Sequence, residues 1–361
     1  MPEVTVLLAV HNGARFLPTA IESVLAQTFR DFQLVVVDDA STDDTPAIIA
    51  RLADPRFMHV RNPQNFGLAR SLNIGLAHAT GKYVARLDHD DVSHAGRLAA
   101  QAAWLGDHPH TALVGSLARL IDEHGQARGL VERPTSIHGI RWMRLLENPF
   151  IHSTVMFRRD LAAELGGYSE SAPLAEDFDF WGRFIKRFEV ANLDRPLVDY
   201  RGWSESIMSS VEQDPHGRRR AELRQSVATL IRRHAADEFG GEPLTEADAD
   251  LLAGLTSGLE ADRVDDFLRS FLDLRRRFES KWPAAVESDD YWHTIARQYD
   301  ALDYRLMPSS RGASAAIYAH ALRSATQLTR QLSWPRAAAS VLLGRGGRER
   351  AARVLSRTRP S

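Results

Sequence analysis

Short apolar runs alternate with helically spaced apolar stripes along the first part of the chain. Residues 4–10 are a β-rich apolar run that stops at the turn-like His11-Asn12-Gly13. Phe16, Leu17, Ala20, Ile21, Val24 and Leu25 then recur at the spacing of an amphipathic helix. Residues 32–37 form a second strand-like run ending in Asp38-Asp39, and the polar stretch 41–45 with Pro46 predicts a helix over 47–52. Residues 57–60 read as a third strand. After Asn65-Phe66-Gly67, a stripe of Leu68, Leu72 and Leu76 marks another helix. The run 83–87 is the fourth strand, and it ends in three carboxylates within four residues: Asp88, Asp90 and Asp91. This alternation predicts an α/β fold with a mainly parallel sheet flanked by helices.

The pattern loosens beyond the acidic cluster. Helices are expected over 95–105 and 137–146, and strands over 112–120, 154–157 and 197–200. Phe178, Trp181, Ile185 and Phe188 mark the apolar face of a further helix. From about Pro215 strand signals vanish, and stretches rich in Ala, Arg, Leu and Glu predict an α-helical C-terminal region. Gly240-Gly241-Glu242-Pro243 and Trp282-Pro283 read as breaks between its helices. The expected division is therefore 1–212 and 213–361.

Composition narrows the class. With 44% hydrophobic and 25% charged residues, the chain is globular rather than disordered. A net charge of −2 gives no pull toward nucleic acid, and the absence of cysteine excludes disulfides and thiolate metal sites. An acid at Glu3 and a short apolar run do not make a signal peptide, and no apolar run approaches a membrane span, so the expected location is cytoplasmic. Residues 336–361 hold seven arginines against the single acid Glu349. That segment reads either as a basic surface for peripheral contact with anionic lipid or as a solvated helix face.

The chemistry gathers at strand ends. Asp38 and Asp39 end the second strand, Asp88, Asp90 and Asp91 end the fourth, and Glu176-Asp177 open the helix of Phe178 and Trp181. In an α/β sheet the carboxyl ends of the strands are where ligands sit. Clustered acids there need a cation, solvent or hydrogen-bond donors, so a metal–phosphate site stands against a solvated acidic turn. The familiar alternatives fail. The turn after the first strand carries one glycine rather than a dinucleotide fingerprint, no P-loop occurs, and the twelfth position of an EF-hand starting at Asp88 is Ala99.

In chain order, Val37-Asp38-Asp39-Ala40-Ser41-Thr42-Asp43, Asn65-Phe66-Gly67-Leu68-Ala69, Arg86-Leu87-Asp88-His89-Asp90-Asp91 and Glu176-Asp177-Phe178-Asp179-Phe180-Trp181 resemble the ordered signature of family 2 glycosyltransferases of the bacterial cell-surface polysaccharide type. The resemblance spans roughly residues 1–210. It implies a GT-A fold and inverting transfer from a nucleotide-diphosphate sugar to a hydroxyl of a saccharide or lipid-linked acceptor. It further implies that Ala9, His11, Asp39 and Arg70 face the donor, and that Asp88-His89-Asp90 matches the Asp-x-Asp motif. Asp90 would then bind Mg²⁺ or Mn²⁺, with Asp88 beside it at the metal and the sugar. Asp177 matches the general base, with Glu176, Trp181 and His152 on the acceptor side.

Each assignment has a plainer counterpart: Asp39 and Asp177 stand where helix caps stand, Arg70 where an exposed arginine would, and His152 where a packed histidine would. Two departures from the family pattern matter. His11 stands where many relatives carry tyrosine, and Trp203 where Tyr200-Arg201 is often followed by a histidine. The helical region would frame the acceptor site, mediate homo-oligomer formation or touch a membrane. The rival readings are a nucleotide-sugar-binding scaffold without catalysis, and a nucleotidyltransferase, whose glycine-rich loop His11-Asn12-Gly13-Ala14 does not resemble.

Overall fold

A computed structural model describes residues 1–204 and 207–306; the arginine-rich segment 336–361 lies outside the described residues. The chain opens with β1 (Val4–Val10), α1 (Leu17–Leu25), β2 (Phe32–Asp38), α2 (Thr45–Ala50), β3 (Phe57–Arg61), α3 (Leu68–His78) and β4 (Tyr83–Arg86). β1 pairs in parallel with β2 and β4, and β2 pairs in parallel with β3. Every residue of β1 and β4 is buried, which is why those strands read as apolar runs, interrupted only by Thr5 and Arg86. Each fully buried valine or leucine there contributes roughly 1.5–3 kcal/mol.

The second half continues as β5 (Val92–Ser93), α4 (Arg97–Asp107), β6 (Thr111–Ile121), β7 (Ala127–Val131), α5 (Ile137–Met143), β8 (Met156–Arg158), α6 (Arg159–Glu164), α7 (Glu176–Arg187) and β9 (Glu189–Arg201). The full sheet is mixed, in the order β3-β2-β1-β4-β8-β6-β9-β5 with β7 on β6. The parallel half is the predicted one. Past it, the three-residue β8 pairs antiparallel with both β4 and β6, while β6 and β9 run parallel.

The expected strand at 154–157 begins two residues later, because His152–Thr154 form a 3₁₀ turn. The expected strand at 197–200 is the end of a thirteen-residue strand, β9. Asn192, Asp194, Arg195 and Pro196 hid its first half, and the register shifts where Leu117 meets Pro196, as a proline in a sheet requires. β5, β7 and α6 were not anticipated; β7 is exposed almost throughout and contains Gly129, so it shows no strand alternation.

The rest is helical: α8 (Ile207–Glu212), α9 (Arg218–Phe239), α10 (Glu246–Ser257), α11 (Val264–Lys281) and α12 (Asp289–Leu306). These helices share one buried apolar cluster with Trp142, Leu145, Leu146, Ala175 and Phe178 from the α/β part. Trp142 is enclosed by Phe271, Phe278 and Tyr291, and its indole N–H donates to Gln298 at 2.8 Å. Gly182 of α7 faces the buried His234 of α9 so closely that a side chain at 182 would collide with the imidazole. Beside it, Asp179 accepts from Arg183 at 2.6 Å and pairs with Arg233 across the same contact.

Candidate active site

Parallel strands deliver their ends to one rim, and the loops there are stitched together. His11 is exposed and its Nδ1 hydrogen-bonds the Asp39 carbonyl at 2.7 Å. Asn12 donates its backbone N–H to Ser41, and its side-chain carbonyl accepts from Thr42 N. Gly13 brings this loop against the acidic one, since a Cβ there would lie 2.5 Å from the His89 ring.

Asp39 is buried, and its carboxylate accepts from Asn62 Nδ2, Phe66 N and Gly67 N, each at 2.8 Å. It therefore fixes the start of α3, which leaves few of its lone pairs for anything else. Arg70 on that helix is exposed and lies 4.0 Å over the Phe66 ring. Ala9 is 4% exposed, and its methyl packs in the apolar layer between the sheet and α3.

The acidic loop divides three carboxylates among three environments. Asp88 pairs with Arg86 through one oxygen and accepts from Ser153 Oγ at 2.7 Å through the other. Burial is the largest influence and works to raise its proton affinity, but the Arg86 guanidinium together with His152, the Ser153 hydroxyl and His89 holds the group below the usual carboxylate range. Asp90 accepts from the Trp203 indole N–H at 2.7 Å through Oδ2, while its Oδ1 has no hydrogen-bond partner among the described residues. Asp91 accepts from Arg201 N at 2.7 Å through Oδ1, and its Oδ2 is buried without a partner. Burial, then the charges of Asp90 and Asp88, push its proton affinity well up.

Glu176 and Asp177 open α7. Asp177 accepts from Asn148 Nδ2 and from Phe178 N, both at 2.7 Å. Burial lifts its carboxyl to about 6, against the Phe178 N–H, which lowers it. Burial, then the Asp177 charge, lifts Glu176 to about 7. His152 shares a 3.1 Å hydrogen bond with the Tyr168 hydroxyl, and burial followed by the Arg86 charge pushes it down to about 3, so the ring is neutral.

Trp181, expected on the acceptor side, is fully buried against Phe157, Tyr168 and Phe180 and touches no solvent. It serves the core because α7 packs its aromatic face onto the sheet.

Three participants were not anticipated: Arg86, Ser153 and Asn148. Arg86 left a signal, as a lone charge in an apolar strand two residues before Asp88, hence on the same strand face. It is fully buried, and its Nε and Nη1 lack partners.

No cluster of three or more acid or histidine side chains among the described residues forms a ready-made metal cage. A diphosphate-bound Mg²⁺ needs no such cage, because it is held through one or two carboxylates with phosphates and water filling the other positions. The open oxygen of Asp90 fits that requirement.

The model of Glycosyl transferase family 2 matches residues 5–166. EpsE of Bacillus subtilis (strain 168) is 36% identical over 212 residues, covering 57% of this chain and 75% of EpsE. The amylovoran biosynthesis glycosyltransferase AmsE of Erwinia amylovora is 31% identical over 208 residues, covering 56% of this chain and 77% of AmsE. Among solved structures, S. aureus TarS 1–349 in complex with UDP-GlcNAc superposes with a TM-score of 0.54 at 17% identity, over 91% of this chain and 92% of that one. That likeness carries the GT-A fold, with the helical region included. The chain belongs to glycosyl transferase family 2, and it is a glycosyltransferase.

Proposed function

We propose that the enzyme moves a sugar, with inversion, from a nucleotide-diphosphate sugar to a hydroxyl of a saccharide or lipid-linked acceptor in bacterial cell-surface polysaccharide synthesis. The observation that carries this reading is Asp177: a partly buried carboxylate aimed by Asn148, with its proton affinity raised to about 6. A sugar hydroxyl is a poor nucleophile at neutral pH, and a carboxylate tuned toward the working pH is suited to take its proton during attack. Asp88 is kept ionised by Arg86 on the leaving-group side. One carboxylate as base on the acceptor side and another, ionised, on the leaving-group side is the division that inversion needs.

Asp90 is the residue that would hold the metal. When bound, Mg²⁺ or Mn²⁺ stabilises the charge of the departing diphosphate. The rim of His11, Asp39 and Arg70 receives the nucleotide. The relative named for amylovoran biosynthesis supports a polysaccharide acceptor, and the TarS complex with UDP-GlcNAc supports the donor class. No helix among the described residues is long and apolar enough to cross a membrane.

The test is a thermal-shift screen of UDP, GDP and other nucleoside diphosphates with and without Mn²⁺, followed by transfer assays on the donor so identified. A cognate nucleotide should raise the melting temperature by mass action, and more so with Mn²⁺. No shift with any nucleotide would overturn the reading.

A further inference from the structure

We infer that Arg133 forms a subsite for a negatively charged group, phosphate or carboxylate, carried by the acceptor. The inference rests on the reading of Asp177 as the base, and it adds the chemical class of the substrate.

Arg133 is partly buried just past the end of β7, and its one hydrogen bond among the described residues is from Nη1 to the neighbouring Glu132 carbonyl at 3.0 Å. Its Nε is buried and unpartnered. No carboxylate oxygen among the described residues comes within 4.0 Å of it, and the carboxylates nearby are engaged elsewhere. Glu132 pairs with Arg297 at 3.1 Å, Glu147 accepts from Gln298 at 3.0 Å, and Asp177 accepts from Asn148. A guanidinium carries five donors, and leaving them buried without an acceptor is costly.

The backbone places this cation on the wall that holds the base. Asn192 Nδ2 donates to Pro134 O at 2.8 Å and to Pro149 O at 3.0 Å, joining the residue after Arg133 to the residue after Asn148. Asp290 accepts from Ser136 N at 2.9 Å and pins the same segment from α12. Glu147 and the like charge of Arg297 act most strongly on the guanidinium, and Tyr200 and then Asp177 also lie within its electrostatic reach. The donor's diphosphate belongs to the opposite side, at Asp88 and Asp90.

The electrostatics favour the same conclusion. Asp88, Asp90, Glu176 and Asp177 give the cleft a negative field that would repel an anionic acceptor. A single unpaired arginine on the base's side offsets that repulsion and offers a two-pronged fit to phosphate or carboxylate.

The test uses the full chain with its nucleotide site saturated by whichever nucleoside diphosphate the thermal-shift screen selects. Inorganic phosphate, methyl glucuronide and the neutral methyl glucoside are titrated by calorimetry into wild type, Arg133→Ala and Arg133→Lys. Saturable binding of an anion by wild type, weakened about tenfold or more in R133A and partly kept in R133K, with methyl glucoside unaffected, is the expected result. Binding of phosphate alone points to a phosphate-linked acceptor, and of glucuronide alone to an acidic sugar. No anion binding by wild type, or equal binding by R133A, overturns the subsite while nucleotide binding stands. Loss of nucleotide binding in wild type itself would sink the underlying reading and this inference with it.

Discussion

The indole N–H of Trp203 donates to Oδ2 of Asp90 at 2.7 Å, and its ring meets Phe16 edge-on with centroids 5.0 Å apart. Arg201 lies 4.5 Å over the same Phe16 ring. One oxygen of the carboxylate proposed to hold the metal is thereby committed to a neutral donor that cannot itself ligate a cation. The chain steers Asp90 with Trp203 instead of adding a ligand beside it.

Replacing Trp203 by histidine would exchange that donor for an imidazole, the commonest metal ligand. Trp203→His should lower the Mn²⁺ concentration needed for nucleoside-diphosphate binding by roughly tenfold. Calorimetric titration of Mn²⁺ at fixed nucleotide measures this. An unchanged Mn²⁺ dependence would move the cation away from Asp90.

Asp177→Asn keeps the size of the side chain and removes its basicity. Transfer should fall by about 10²–10⁴-fold in kcat, with donor affinity within about twofold of wild type. Transfer at the wild-type rate would remove Asp177 from the mechanism.

The raised carboxyls fix the direction of two pH effects. As the proposed base, Asp177 would act ionised, so transfer should rise with pH through about 6, and a rate that falls over that span would exclude it as the base. Stability runs the other way. Asp177 and Glu176 hold protons in the folded chain up to about 6 and about 7, where the unfolded chain has already released them. Their contribution is complete below the ordinary carboxylate range and is lost as pH rises through those values. Denaturant unfolding of wild type and a Glu176→Gln variant from about pH 5 to pH 8 should show the wild type losing more stability.

Gly182→Ala should destabilise the protein by about 1–3 kcal/mol, because the new methyl collides with His234. Adding His234→Ala should recover part of the loss, since the two sites share one space. Strictly additive losses in chemical denaturation would show that the α7–α9 contact is looser than described.

The parallel half of the sheet was legible because strands buried on both faces are continuous apolar runs with acids at their ends. β7 and the first half of β9 were not, since an exposed strand and one interrupted by Asp194, Arg195 and Pro196 carry no period. Within the site, residue type and order pointed to Asp39, Asp90 and Asp177. Sequence could not show that Asp39 spends most of its lone pairs on α3, or that Trp181 turns inward. Nor could it show Asn148 aiming Asp177, a pairing across 29 positions that no local pattern encodes.

The setting of Trp142 bears on how such enzymes are recombined. EpsE and AmsE match this chain over 212 and 208 residues, yet Trp142, well inside the α/β part, is walled by Phe271, Phe278 and Tyr291 from the helices. Its helix, α5, is threaded between β7 and β8, so no single crossover point separates the sugar-transfer sheet from its helical cover. A hybrid that exchanges the helices for those of a relative has to transplant α5 with them as an internal graft. A simple end-to-end fusion leaves a large indole facing a stranger's surface.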